Sequence, residues 1–363
     1  MNSLDAFVNS AEHSSSDSIL EMQEIVRQSS KVHVCGSRTK SGFHPKVDGA
    51  TILSTQSLKG IVSYDPQEFV VTVRSGTCVS DLISILATQG QYLPFDPLLA
   101  IRGATIGGTV AANAAGSGRL RFGGIRDFIL GVRFIDGRGN CIRGGGQVVK
   151  NAAGFDFPKL MVGSQGKLGL IYELTFKVFP RPEAYSTVIG RFPKLDQALT
   201  YMNQLASSPM DIEAIDLIPI EGEVFDLAIR IGGIATAIPN RISRLQQIVP
   251  ESQILRDLED EIFWRAASNF EWACNLESLL KVPMTPRSIP EVEGHLANSQ
   301  IGRRYSVGGN VAWLATEWTS DLQIKCGAIQ TFLGQPREVS QLNESGPFGQ
   351  AIKRAIDPEM KFV

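Results

Sequence analysis

Between Leu93 and Gly146 the chain has no room for a long helix: "LPFDPLLAIRGATIGGTVAANAAGSGRLRFGGIRDFILGVRFIDGRGNCIRGGG" interrupts itself with glycine every few residues. Each interior glycine costs a helix up to about 1 kcal/mol relative to alanine. The same stretch is too apolar, and too strand-like at "FILGVRFID", to be a disordered linker. Loops whose backbone comes close to another body satisfy both constraints. Two more segments share the property. "GSRTKSG" follows the short strand-like "KVHVCG", and "GSQGKLG" places Gly163, Gly166 and Gly169 directly before "LIYELTF". Absent Cβ atoms and unblocked N–H groups suit a flat ring or a pyrophosphate.

A chain of 363 residues exceeds the roughly 250 to 300 at which single cores stop growing, so two domains are expected, 1–182 and 183–363. In the first, a helical stripe over Ser18–Gln28, with Asp17 as N-cap, leads into "KVHVCG". Strand-like "ATILST", "GIVSYDP" and "FVVTVRSG" then precede a helix at "CVSDLISILATQG". Pro180 and Pro182 mark the boundary. Beyond it, strands "YSTVIG", "IEAIDLIPI" and "VFDLAIRI" alternate with helices "LDQALTYMNQLA" and "IPNRISRLQQIV". A weaker second round runs through "SLLKVPMTP", "PEVEGHLANSQ", "VAWLATE" and "SDLQIKCGAIQTFLG", which predicts a ferredoxin-like pseudo-repeat. The expected fold class is α+β.

Several functions are disfavoured. A net charge of −2 lacks the basic excess that nucleic-acid binding requires. No segment reads as a signal peptide or as a transmembrane span of about 18 apolar residues, so a cytoplasmic chain is expected. Cys35, Cys78, Cys141, Cys274 and Cys326 are scattered, without metal or iron–sulfur spacing, and any such cluster would sit on a partner. "GSQGKLG" lacks the spacer and the hydroxyl residue of a P-loop, and no strand leads into Rossmann glycine spacing.

The order of "CGSRTK", "LPFDP", "GATIGGTVAANAAG", "FGGIRDFILGVRFIDGRG", "KNAAGFDFPKLMVGSQGKLGLI" and "TFKVFPRP" resembles the PCMH-type FAD-binding domain of the vanillyl-alcohol oxidase superfamily. Within it, "GIVSYDP", "RDFILG", "VVKNAAGFDFPKLMVGSQGKLG" and "GGNVAWL" are similar to the FAD-binding accessory subunits of bacterial glycolate oxidases. The resemblance implies an FAD-binding domain of two α/β subdomains followed by a ferredoxin-like-type α+β domain. It also implies roles. Gly36, Ser37, Arg38, Thr39 and Lys40 would wrap the pyrophosphate by backbone N–H groups, with no lysine ammonium required. Thr105, Gly107, Gly108 and Gly116 would line the second pyrophosphate and ribityl loop, and Gly169 to Ile171 the adenine end. Some relatives attach flavin through a histidine where this chain has Thr39, with His33 and His44 only flanking the loop, so FAD is expected to be non-covalent. Arg126 and Asp127 read as an ion pair, and Asp357-Pro358 as the remnant of a tail that covers the cofactor.

Oxidising a 2-hydroxy acid needs a base and a cation for the carboxylate near the flavin. Where relatives carry two histidines in the second domain, this chain has Tyr305 and Ala312. His295 reads as a helix-surface residue, and Arg303 with Arg304 as either a carboxylate clamp or a solvated turn. No catalytic residue is assigned. The resemblance implies an FAD subunit of a glycolate oxidase-like complex, supporting oxidation of glycolate or a similar acid. A catalytic FAD subunit and an iron–sulfur subunit would be its partners and could hold it peripherally at the inner membrane. A self-sufficient flavin oxidoreductase and a non-catalytic scaffold remain open alternatives.

Overall fold

The computed structural model describes residues 15–43, 47–146, 155–220, 224–273, 278–296, 299, 301–316, 329–334 and 346–363. His44, Cys274, Cys326, the segment "VVKNAAG" and residues 320–328 of the helix expected within "SDLQIKCGAIQTFLG" lie outside the described residues, while Gln330–Leu333 of that segment forms a strand.

Valine-rich Val70–Arg74 and aromatic-rich Leu170–Lys177 sit side by side near the middle of a five-stranded antiparallel sheet, as β-branched and aromatic residues favour. Its order is Ile61–Asp65, Val70–Arg74, Leu170–Lys177, Ile129–Ile135, Cys141–Gly145. Alternation puts Val71, Val73, Leu174 and Phe176 into the core, under the helix Val79–Ala87 and the loops from Leu93 to Ala115. The opposite face is polar: Arg74 and Arg133 both pair with Glu173, at 3.0 and 3.1 Å. Beside this sheet, Val32–Cys35 pairs in parallel with Thr51–Ser54 under the helix Ser15–Gln28, with Met22, Val26, Val32 and Leu53 buried together.

The second sheet has eight antiparallel strands: Gln253–Arg256, Ala184–Phe192, Val224–Gly233, Ile212–Ile220, Gly302–Ser306, Val311–Ala315, Leu279–Pro283 and Gln330–Leu333. Its first four strands, with helices Leu195–Ala206 and Ile238–Ile248, follow the ferredoxin-like strand–helix–strand–strand–helix–strand path. The last four, with the helix Ile289–Leu296 between the first and second of them, repeat the strand order reflected across a seam joined at Leu217 and Tyr305. The expected pseudo-repeat is therefore present in the strand order.

Residues alternate between the two faces of this sheet. Ile215, Leu217, Leu280, Val282, Tyr305, Ala312 and Leu314 pack beneath the helices. Val311, Trp313, Ala315 and Phe332 face the other way and join the core of the five-stranded sheet, with the Phe270 ring tilted against Trp313 at a centroid distance of 4.7 Å. The helix Asp257–Ser268 covers the remaining part of that face. There Asp260, 1% exposed, accepts from Thr187 Oγ1 at 2.6 Å and from Arg230 at 2.7 and 3.0 Å.

Residues 347–363 depart from the expected 183–363 unit, because they return to the first sheet's neighbourhood. Phe362 bridges Val32 in parallel, Val32 N donates to the Lys361 carbonyl at 2.7 Å, and Lys361 Nζ caps the carbonyls of Val26 and Arg27. Asp357 is fully buried, where it pairs with Lys353 at 2.6 Å and accepts from the backbone N–H groups of Lys361 and Phe362. Short tails carry little periodicity, so sequence patterning assigns them to the domain they follow. Replacing Asp357 by Ala leaves the Lys353 ammonium buried without its counter-charge, a loss of roughly 3–5 kcal/mol. We expect the thermal midpoint of Asp357→Ala to fall by about 5–10 °C in scanning calorimetry; an unchanged midpoint would show that the tail bears no load.

Candidate FAD site

Four segments meet around a cleft of about 630 Å³: the end of the first strand with the loop Gly36–Lys40, the start and body of the helix Ile106–Ala111, and the loop from Gln165 to Gly169. They meet because side chains are missing. A Cβ on Gly36 would stand 2.4 Å from Thr105 Oγ1, and one on Gly107 would stand 2.7 Å from Ser75 Cβ. Gly163, Gly166 and Gly169 all have positive φ, and a Cβ on Gly169 would also meet the Ile135 carbonyl at 2.6 Å. This turn docks on the helix through Gly163 N to the Val110 carbonyl (3.0 Å) and Gln165 N to the Ala111 carbonyl (2.8 Å).

Gly36, Ser37, Arg38, Thr39, Lys40, Thr105, Gly107, Gly108, Gly169 and Ile171 all line this cleft. Gly116 does not. Its N–H donates to the Asp96 carbonyl at 2.7 Å, and it borders a separate cavity of about 280 Å³ with Asp96, Ser117, Asp216 and Arg304. A Cβ there would lie 2.2 Å from Asp96 Oδ2, so local packing accounts for that glycine. Sequence reasoning passed over Phe43, Ala111, Ala112 and Gln165, which complete the walls. Gln165 had one signal, its place between two glycines of a tight turn, where it adopts φ +56.

The cleft's electrostatics are set by Lys40. It is 5% exposed, and among the described residues its ammonium donates only to Thr39 Oγ1, at 3.2 Å, with no carboxylate beside it. Burial alone pushes its pKa down to about 8. The loop Ser37–Lys40 adds backbone N–H groups without an acceptor among the described residues, and Arg38 holds the left-handed φ of +56. A buried, unmatched ammonium beside free N–H groups and a glycine cradle fits a diphosphate. Backbone N–H groups alone were expected to suffice; the structure adds the Lys40 ammonium beside them, 3.9 Å from where a Cβ on Gly108 would lie.

Other expected residues have different surroundings. Asp127 Oδ2 accepts from Gly124 N at 2.8 Å and closes a helix N-terminus, with no ion pair to Arg126 among the described residues. His33 is buried with Nδ1 3.3 Å from the Val363 carbonyl, and burial lowers its pKa. His295 is exposed on its helix, with Nδ1 2.7 Å from the Glu291 carbonyl. Arg303 grips Glu293 at 2.6 Å twice, and Arg304 binds Asp216 at 2.6 Å. They form neither a free clamp nor a solvated turn, since strand alternation buries Arg304 and half-buries Arg303. Tyr305 and Ala312 are cross-strand partners, but they face the helices, away from the five-stranded sheet, and Tyr305 donates its hydroxyl to Glu293.

Residues 13–145 match the FAD binding domain family. This chain contains an FAD-binding domain. It is 38% identical over 201 residues to glycolate oxidase subunit GlcE of Escherichia coli (strain K12), covering 55% of this chain and 57% of that protein. It is 30% identical over 202 residues to glycolate oxidase subunit GlcD of Bacillus subtilis (strain 168), covering 56% and 40%. The chain thus spans about half the length of these relatives. A solved structure of alkyldihydroxyacetonephosphate synthase superposes with a TM-score of 0.68 over 95% of this chain and 73% of that one, at 15% identity, which shows a shared fold. No helix among the described residues is long and apolar enough to cross a membrane.

Two measurements check the assignment of the cleft. Diphosphate binding favours protonated Lys40, whose pKa of about 8 in the free protein rises when an anion is bound. FAD affinity measured by fluorescence titration is therefore expected to be flat below about pH 8 and to fall up to tenfold per unit above it. In Lys40→Met it should be at least tenfold weaker and lack that pH dependence. Gly108→Glu, which puts a carboxylate beside the same ammonium, should purify largely without flavin; full occupancy would place FAD elsewhere.

Proposed function

We propose that this chain is the FAD-binding subunit of a glycolate oxidase-like complex, serving oxidation of glycolate or a similar 2-hydroxy acid and passing electrons towards an iron–sulfur partner. FAD supplies the hydride-accepting chemistry when bound. The residues lining the cleft at Gly36–Lys40, Thr105, Gly107, Gly108 and Gly169–Ile171 would hold it without a covalent bond, Thr39 offering no ring nitrogen for attachment. Likeness to GlcE supports the subunit assignment. So does the division of the chain near residue 183, with residues 347–363 returned to the first unit.

One observation carries the accessory role. The face of the eight-stranded sheet that turns towards the FAD-binding unit presents Lys281, Arg304, Ser306 and Trp313, and no histidine among the described residues. Arg304 is engaged by Asp216, so neither of these two side chains is free, and a histidine base for the hydroxyl proton is absent from this face among the described residues.

A second reading, a self-sufficient oxidoreductase, is favoured by Asp96. Its buried carboxyl, beside Gly116 and Ser117, is pushed upwards in pKa chiefly by desolvation, as suits a general base. An anaerobic visible spectrum of the purified chain, before and after glycolate, separates the two. The accessory role predicts a bound FAD that stays oxidised until partner subunits are added. Bleaching by glycolate alone, lost in Asp96→Asn, would establish the second reading instead.

A further inference from the structure

Four lysines among the described residues are buried, and two of them have carboxylates: Lys353 meets Asp357 at 2.6 Å and Lys361 meets Glu359 at 3.4 Å. Lys40 and Lys281 do not. Lys281 is 5% exposed in the strand Leu279–Pro283. Its neighbours Leu280 and Val282 point to the helices, so its own side chain turns to the opposite face, opposite Trp313 in register and 5.9 Å from that ring. Among the described residues its ammonium makes one hydrogen bond, to the carbonyl of Asn113 at 3.1 Å. Burial, with the nearby Arg119 charge, pushes its pKa down to about 8.

Asn113 ties this lysine to the cleft. Ala111 and Ala112, just before it, line the cleft wall, and Asn113 itself turns the chain through φ +47. The turn at Gly163 packs against it, where a Cβ would stand 3.7 Å from Asn113 Cβ. Gly108, beside Lys40, lies within the helix Ile106–Ala111, and Asn113 lies just past its C-terminal end. The chain therefore places one unmatched buried ammonium at each end of one helical wall. The diphosphate accounts for the first. Ammonium groups that keep two donors unused in a dry site call for a second source of negative charge.

We propose that Lys281 is a positioning cation for the ring system of FAD, whose potential it raises. Accepting a hydride brings two electrons and one proton, so one unit of negative charge must be balanced at the ring. An ammonium delivered from the second sheet balances it, and links the cofactor's potential to the contact between the two sheets. Arg303 and Arg304 cannot serve, being held by Glu293 and Asp216.

The inference rests on FAD being bound in this cleft, and its test separates the two. The midpoint potential of the flavin-loaded full chain is measured by dye-coupled reductive titration for wild type, Lys281→Met and Lys281→Gln, with glycolate binding followed in the same samples. Glutamine keeps a donor for the Asn113 carbonyl without the charge, so it remains informative if the methionine variant does not fold. Both variants should hold oxidised FAD about as tightly as wild type. Their preference for the reduced over the oxidised form should fall at least tenfold, a drop of about 30 mV for a two-electron couple, with recovery in Lys281→Arg. An unchanged potential in flavin-loaded variants overturns the proposal. An unchanged potential with weakened glycolate binding also overturns it and assigns the ammonium to a substrate carboxylate. A wild-type chain that retains no flavin would instead sink the placement of FAD, leaving the potential unmeasured for that separate reason.

Discussion

The carboxylate of Asp216 is the contact on which the relation between the two sheets depends. It is fully buried, and its Oδ2 accepts from Arg304 Nε at 2.6 Å, Ser306 Oγ at 3.0 Å and Ser117 Oγ at 2.9 Å. The first two donors belong to the eight-stranded sheet, and the third belongs to the glycine-rich segment of the first unit. The Arg304 guanidinium also lies over Phe263 and Trp264, at 5.1 and 5.4 Å. Such a buried pair adds little net stability, because desolvation offsets the attraction. Its effect is orientation, since only one docking of the sheet keeps all three donors on one oxygen. With that docking set, Phe270 and Trp313 complete the shared core, and Lys281 reaches the carbonyl of Asn113.

Glycine decides how close the backbone of the first unit can come to itself and to a ligand. At Gly36 and Gly107 the space for a methyl group is taken by Thr105 and Ser75, so the loop, the helix and the strand edge converge with no side chain between them. The resulting wall is apolar through Phe43, Ala111, Ala112 and Ile171, with the Lys40 ammonium beside it. A site built this way is suited to bind charge through backbone dipoles and the desolvated Lys40, whose burial cost is offset when an anion is bound.

The returning tail adds a second kind of closure. Lys353 donates to the carbonyls of Lys167 and Phe362 as well as to Asp357. It thereby braces the turn Gly163–Gly169 at Lys167. The turn that shapes one wall is held by the last residues of the chain, and cofactor binding and the integrity of the tail are thermodynamically linked.

Local chemistry made much of this legible in the residues alone. Three glycine segments, the strand–helix alternation past Pro182 and the scattered cysteines pointed to the fold class, to a site for a flat ring or a pyrophosphate and to no clustered cysteine ligands, because backbone freedom, periodicity and spacing are properties of neighbouring residues; FAD itself came from the resemblance carried by the order of the motifs. Tertiary structure alone decided which charges matter. Lys281 carries no signal in sequence, Lys40 enters only as one residue of a loop expected to act by its backbone, and Arg303 with Arg304 read as either a carboxylate clamp or a solvated turn. Burial and pairing depend on which distant carboxylate lies opposite, as Glu293 and Asp216 do for the arginines and as none among the described residues does for the two lysines. Gly116 and residues 347–363 were misread for the same reason: their partners, Asp96 and Val32, are set by the packing of segments far apart in the chain.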